Sequence, residues 1–306
     1  MKYLVTGCAI VNNITYVDGR KVENILGGCG IYAYSGIRMV TDDCAVTVDV
    51  GEDFDEYYGE WFDSNYISRD YLNVVDAHTM NTILEYHEDS SYYDHSKYGG
   101  PFTHHCDALR LSNDHYIPYY PMAEKAVYVF NTTDYVDEAR KKYGFKVTLE
   151  VKNNATADDR EPLLGYLENV DLYSLNRNEC GHIFGLKTEE ECIRQILTLE
   201  KPCFFRLGTK GSMMICDGKA WFVPIVHISS EEGDPTGCGN SSTCAAMWAY
   251  FEGYDPLMTA CIANVVAGYN AQQMGPVPRF TQELRKDVFA RAERLYGEIK
   301  ETARII

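Results

Sequence analysis

From residue 126 onward the chain alternates short apolar runs with amphipathic stretches. AVYVF (126–130), FKVTLEV (145–151), VDLYSL (170–175), PCFFRLG (202–208) and WFVPIVHI (221–228) have the length and apolar character of buried strands. Between them lie YVDEARKKYG, which ends on a glycine, and TEEECIRQILTLE (188–200), which opens on a capping box of Thr188 and Glu191. SSTCAAMWAYFEGY (241–254) reads as a helix stopped near Gly253. In the last helix Leu284, Val288, Ala292, Leu295 and Ile299 recur at spacings of three and four. Parallel strands need crossover connections, and helices are the usual crossover. The alternation therefore predicts an α/β fold with a mostly parallel sheet covered on both faces.

The first part of the chain is less regular. Residues 3–11 (YLVTGCAIV) read as one strand, and Asp18–Gly19 marks the turn of a hairpin over 14–24. ILGGCGIYAYSGIRMV passes from a glycine turn into a helix, CAVTVDVG (44–51) is a strand, and DFDEYYGEWF is helical. Residues 71–120 differ in composition, with six of the eight histidines and many tyrosines. TMNTILEYHE (79–88) reads as a strand there, and SSYYDHSKYGGPFTHHCD as a long loop. The histidine spacings match no compact metal motif, so a solvated lid or a subunit interface is the expected setting.

With 306 residues the chain is long enough for one large domain, taken as 1–306. A net charge of −17 disfavours nucleic acid and anionic membrane as partners, and any bound phosphate then needs local donors. No run of 18 apolar residues is present, and the opening MKYLV reads as a strand rather than a signal peptide. Eleven cysteines without a C-x-x-C pair point to reduced thiols and a cytoplasmic chain.

GDPTGCGN (233–240) lies between a strand and a helix. Gly237 and Gly239 allow a tight turn and close backbone approach, and the first amides of the helix make an anion site. A plain glycine turn would explain the pair equally well if it stood alone. It does not stand alone. N-R-N-E (176–179) follows one strand, G-T-K-G (208–211) ends the next, and a hairpin turning at Asp217–Gly218 precedes the loop. This order resembles the PfkB (ribokinase-like) family of small-molecule kinases. GGCG at 27–30 fits the family's N-terminal glycine pair, and CIANVVAGYNAQQMG (261–275) fits the segment beside the adenine. The resemblance runs from residue 4 to about 280 and is strongest over 170–275.

The resemblance implies a three-layer α/β/α sandwich with a small β lid drawn from about 12–26 and part of 71–120. It implies ATP and Mg²⁺, with Asn176 and Glu179 positioning the ion through water. Gly208, Thr209, Gly211 and Asn264 would flank the nucleotide. Gly237, Cys238 and Gly239 would form the anion hole, and Asn12, Gly27 and Gly28 would meet the acceptor. Two positions depart from the family. Asn240 stands where the family has its general base, an aspartate, and Asn12 replaces an aspartate that holds acceptor hydroxyls. An amide orients a hydroxyl but cannot take its proton, and loss of a positioned base typically costs about 10²–10⁴ in rate. Asp234, Glu231 and Glu232 are the carboxylates nearest in sequence.

Two readings stay open. One is an ATP-dependent kinase of a sugar, nucleoside or related polyol. The other is a pseudokinase that holds such a ligand and regulates a partner. Lys210 and Arg206 are the cations nearest the nucleotide loop, with Arg206 also suited to pairing inside the fold. Arg38 and Arg69 are weaker candidates for an anionic acceptor. Cys238 reads first as a small loop residue and second as a reactive thiol. The tyrosine-rich lid suits a substrate cover or a homodimer interface.

Overall fold

Nine strands form a central sheet in a computed structural model that describes residues 1–86, 92–98, 116–133, 136–228 and 234–303. They are β1 (Tyr3–Cys8), β4 (Cys44–Gly51), β5 (Asn73–Asp76), β8 (Ala126–Phe130), β9 (Lys146–Glu150), β10 (Leu172–Asn176), β11 (Cys203–Arg206), β12 (Gly211–Cys216) and β13 (Lys219–Pro224). Their spatial order is β13-β12-β11-β10-β9-β8-β1-β4-β5. Every pairing from β11 to β5 is parallel, and the two pairings at the other edge, β11–β12 and β12–β13, are antiparallel.

Side chains alternate across the sheet, so each strand feeds two cores. Tyr3 and Val5 enter one and Leu4 the other; Phe204 enters the first, Cys203 and Phe205 the second. The first core is closed by α1 (Cys29–Arg38), α2 (Phe54–Ser64), α7 (Cys238–Phe251), α8 (Pro256–Asn270) and α9 (Gln282–Ile299). The second is closed by α3 (Asp137–Tyr143), α4 (Arg160–Leu167), α5 (Arg177–Phe184) and α6 (Glu189–Thr198). The result is the expected three-layer α/β/α sandwich. Helix α8 was not legible as a helix in the sequence. Asp255 caps it by accepting from the Met258 amide at 3.0 Å, and Pro256 opens it. It is buried on nearly all sides, so it has no polar face to mark a period.

The run 3–11 is not one strand. β1 ends at Cys8, and β2 (Ile10–Thr15) departs into a second sheet of order β3-β2-β6-β7. The apolar pattern continues through the break because Ala9 is buried at the junction. In that sheet β3 is Lys21–Gly27, β6 is Asn81–Tyr86 and β7 is Tyr92–Ser96. The expected hairpin is longer than 14–24, pairing Ile10 with Gly27 at one end and Thr15 with Lys21 at the other. Asp18 Oδ1 accepts from the Arg20 amide in its turn. β6 matches the expected strand, whereas β7 falls in the stretch read as a loop. His87, His104, His105, His115 and the acidic pair Glu231–Glu232 lie outside the described residues. Among the described residues no helix is long and apolar enough to cross a membrane.

Candidate active site

The parallel strands β1, β8, β9, β10 and β11 all end at one rim of the sheet, and in open α/β sheets that rim forms the binding crevice. A cavity of about 460 Å³ opens there. Asn176, Arg206, Gly208, Thr209, Gly211, Cys238, Gly239 and Asn264 line it. Seven of the sequence-predicted residues are thus gathered on one wall, together with Arg206. Asn264 is held in place by donating from Nδ2 to the Ser212 hydroxyl (2.6 Å) and the Ala260 carbonyl (2.9 Å).

At the floor, α7 begins with Gly237 as its N-cap, at φ +79°. A Cβ at Gly237 would lie 2.1 Å from the Tyr32 ring, and one at Gly239 would lie 2.1 Å from Arg206 Nη1. Glycine is therefore required at both positions: at 237 by conformation and space, at 239 by the guanidinium beneath the loop. The Cys238 amide donates to the Pro235 carbonyl at 3.1 Å, and the amides of Gly239 and Asn240 that follow have no partner within the helix.

The N-x-x-E motif forms the capping box of α5. Asn176 Oδ1 accepts from the amides of Asn178 (2.8 Å) and Glu179 (2.9 Å), and Glu179 Oε2 accepts from the Asn176 amide at 2.6 Å. Glu179 is buried, and burial pushes its carboxyl up to about 7 despite the opposing pull of Arg206. Arg206 Nη2 meets Glu179 Oε2 at 3.2 Å while Nη1 meets Glu150 Oε1 at 3.0 Å. Its Nε has no hydrogen-bond partner among the described residues. Arg206 is thus paired inside, as one of its two sequence readings held, yet its guanidinium also reaches the cavity wall.

Glu150 was not foreseen. It ends β9 with 0% exposure. Its Oε2 accepts from the Tyr128 hydroxyl at 2.7 Å, and its Oε1 accepts from Asn240 Nδ2 at 3.1 Å. Burial raises the Tyr128 hydroxyl well above the usual phenol range, and Glu150 adds to the effect. The amide at 240 therefore has a carboxylate beside it.

The acceptor-side residues also converge. Asn12 on β2 donates from Nδ2 to the Ile25 carbonyl at 3.4 Å, and a Cβ at Gly27 would lie 2.6 Å from that nitrogen. Gly28 has φ +99°, and a Cβ there would lie 2.3 Å from the Cys8 carbonyl oxygen. The Tyr58 hydroxyl lies 2.8 Å from the Ile10 carbonyl and 2.9 Å from that of Gly27, tying α2 to the small sheet. Tyr32 joins the two halves: its ring abuts Gly237, and its hydroxyl reaches the Leu26 carbonyl at 3.5 Å.

The model of the pfkB family of carbohydrate kinases matches residues 9–281. The chain belongs to that family. A ribokinase of Arabidopsis thaliana is 28% identical over 149 residues, which span 47% of this chain and 38% of that protein. The match thus spans well under half the length of that relative. Among solved structures, Arabidopsis thaliana ribokinase complexed with ribose and ATP superposes with a TM-score of 0.72 at 19% identity, over 95% of this chain and 98% of the other. A putative ribokinase II from E. coli, in complex with ATP and Mg²⁺, gives 0.74 at 16% identity over 96% and 99%. Burkholderia thailandensis nucleoside kinase in complex with inosine gives 0.70 at 16% identity over 96% and 97%. At these identities the structures speak for the fold.

The remaining candidates of this pfkB-family chain sit elsewhere or do other work. Lys210 pairs with Glu189 at 2.8 Å in an exposed position. Arg38 is occupied by the Tyr34 hydroxyl, the Asn65 carbonyl and Asp42, and Arg69 by Asp55 and Asp63, so neither is placed to hold an acceptor. Asp234 Oδ1 accepts from the Thr236 amide (2.9 Å) and hydroxyl (2.6 Å), which shapes the loop. Burial pushes the Cys238 thiol up to about 11, the opposite of activation, so the small-residue reading fits. His78 stacks on Tyr98 and meets Asp53 at 3.0 Å. Glu150 and Tyr32 were missed because their roles depend on neighbours distant in sequence. A glutamate ending an apolar run, in FKVTLEV, was the one available signal.

Proposed function

We propose that the chain is an ATP-dependent phosphotransferase acting on a hydroxyl of a sugar, a nucleoside or a related small polyol. The observation that carries this reading is the shared wall of Cys238 and Gly239. They belong both to the large cavity and to the glycine N-terminus of α7. A nucleotide in the cavity would direct its phosphates at that terminus, and the orphaned Nε of Arg206 and the bare Gly239 fit an anionic guest. Gly208, Thr209, Gly211 and Asn264 line the nucleotide side; Asn12, Gly27 and Gly28 face the acceptor under a lid made by the small sheet.

Among the described residues no cluster of three His, Cys, Asp or Glu side chains suits a metal ion. Magnesium suits such a site, because it keeps several waters and binds mainly through substrate phosphates. Asn176 and Glu179 would hold its outer shell, and the ion would supply neutralisation of phosphate charge. In the transfer, the acceptor oxygen attacks the terminal phosphorus, the bond to the departing ADP oxygen breaks, and the open amides in the first turn of α7 would hold the charge.

The test is turnover with ATP, Mg²⁺ and a panel of sugars and nucleosides, with calorimetry for ATP. Phosphorylated product from wild type, lost in Gly239→Val, is the expected result. ATP binding with no product from any acceptor would return the chain to the pseudokinase reading. Absence of ATP binding would remove both. A homodimer through the small sheet is the assembly to check, by solution mass.

A further inference from the structure

Asn240 raises a specific chemical question, because an amide presents a donor on one side and an acceptor on the other. Its surroundings decide which side faces the substrate. Glu150 accepts from Nδ2 at 3.1 Å, and the Tyr128 oxygen lies 3.5 Å from the same nitrogen. An ionised carboxylate can only accept, so the reverse orientation would set oxygen against oxygen. With Nδ2 turned toward β9, Oδ1 is the atom left for an acceptor hydroxyl. Glu150 is itself fixed, since Arg206 and Tyr128 engage its two oxygens at 3.0 and 2.7 Å.

We propose that Glu150 is a positioning residue for phosphoryl transfer: it locks the Asn240 amide with Oδ1 toward the acceptor hydroxyl, and it carries the negative charge that residue 240 lacks. This rests on the kinase reading above. The acceptor O–H donates to Asn240 Oδ1, the oxygen attacks phosphorus, and the bond to the ADP oxygen breaks. The hydroxyl proton leaves on an oxygen of the transferred phosphoryl group. No protein group needs to take it up, which a loose transition state tolerates.

The arrangement makes a counter-intuitive prediction. Asn240→Asp alone does not install a free base, because it sets a second carboxylate against Glu150, and two carboxylates at that range share a proton. The charged and titratable groups around Glu150 are Arg206 on β11, Tyr128 on β8, Cys244 on α7 and, beyond Arg206, Glu179 on α5. None of them removes the repulsion, since Arg206 already serves two carboxylates. The double variant E150Q/N240D exchanges amide and carboxylate between strand and helix. The carboxylate it places on the helix then has a donor beside it in place of a competitor.

The experiment measures kcat and KM for ATP and acceptor in wild type, E150Q, N240D and E150Q/N240D at pH 7, with thermal unfolding on each. Each single change is expected to lower kcat at least about tenfold with KM for ATP within about twofold. The double variant should equal or exceed wild type. In N240D, kcat should rise with pH along a limb well above the ordinary carboxylate range, and wild type should lack that limb. Should E150Q unfold, the N240D profile alone decides. The side-chain amide NMR signal of Asn240, assigned by its loss in N240D, should move in E150Q.

Additive losses in the double variant would overturn the proposal. So would N240D matching the double variant at pH 7, or a limb at ordinary carboxylate pH. An unmoved Asn240 amide signal would refute the pairing while leaving the kinase reading intact. A shifted signal with no phosphate transfer from any variant would instead sink the kinase reading, and the proposed role with it.

Discussion

Arg206 is the residue on which the site's electrostatics turn. It stands between two carboxylates, Glu150 and Glu179, that have no solvent exposure. Removing the cation would leave both without compensation, and breaking a buried pair in this way typically costs about 3–5 kcal/mol. Arg206→Met is therefore expected to lose that much stability in urea unfolding. Arg206→Lys should fall between, because a point charge on a flexible stem cannot bridge two carboxylates as a planar fork does. The sequence placed an arginine in an apolar strand and so announced a buried partner. It did not say which, since Glu150 and Glu179 come from other strand–helix units. Asn240 was equally half-legible. Its departure from the family is visible in one letter, but the carboxylate beside it lies 90 residues away.

At the scale of elements, the small sheet is anchored to the body by α2 through one hydroxyl. Tyr58 is fully buried, and its oxygen lies near the carbonyls of Ile10 and Gly27 and accepts from the Gly27 amide at 3.2 Å. Tyr58→Phe removes the buried hydroxyl that bonds to these backbone groups, a loss of about 1–3 kcal/mol. Because they border the proposed acceptor side, KM for the acceptor should rise more than KM for ATP. Equal effects on both would detach Tyr58 from the acceptor. The strands of the large sheet were readable because parallel strands buried on both faces are apolar throughout. The β1–β2 junction was not, because the apolar run continues through the buried Ala9 as far as Val11. Helix α8 escaped for a related reason, having no solvent face to break its pattern.

Across the whole molecule, α9 closes the first core and is clamped to the end of α1 by a two-point ion pair. Arg285 donates to both oxygens of Asp42 at 2.7 Å. The hydrogen bond from Arg285 is the chief reason that the Asp42 carboxyl is held below its ordinary range. A lowered carboxylate stabilises the fold above its unfolded value, and that contribution disappears as pH falls through the folded value. Asp42 is well exposed, so solvent limits the effect to at most about 1 kcal/mol. Asp42→Asn should therefore destabilise slightly at pH 7, less so in high salt, and less at pH 3 than at pH 7. Chemical denaturation of both proteins at the two pH values checks the sign.

By itself the sequence determined the α/β class, the parallel character of the sheet, the glycine loop and the order of the motifs. These follow from local properties: apolar runs, turn residues, and glycines where a side chain has no room. Tertiary structure decided which groups meet at the rim of the sheet. There strands β8, β9 and β11 and the starts of α5 and α7 set Tyr128, Glu150, Arg206, Glu179 and Asn240 into one network. Crossover connections bring residues far apart in sequence to adjacent strand ends, and a carboxylate's partner is set by that adjacency. The same contact turns Asn240 from a missing base into half of an amide–carboxylate pair.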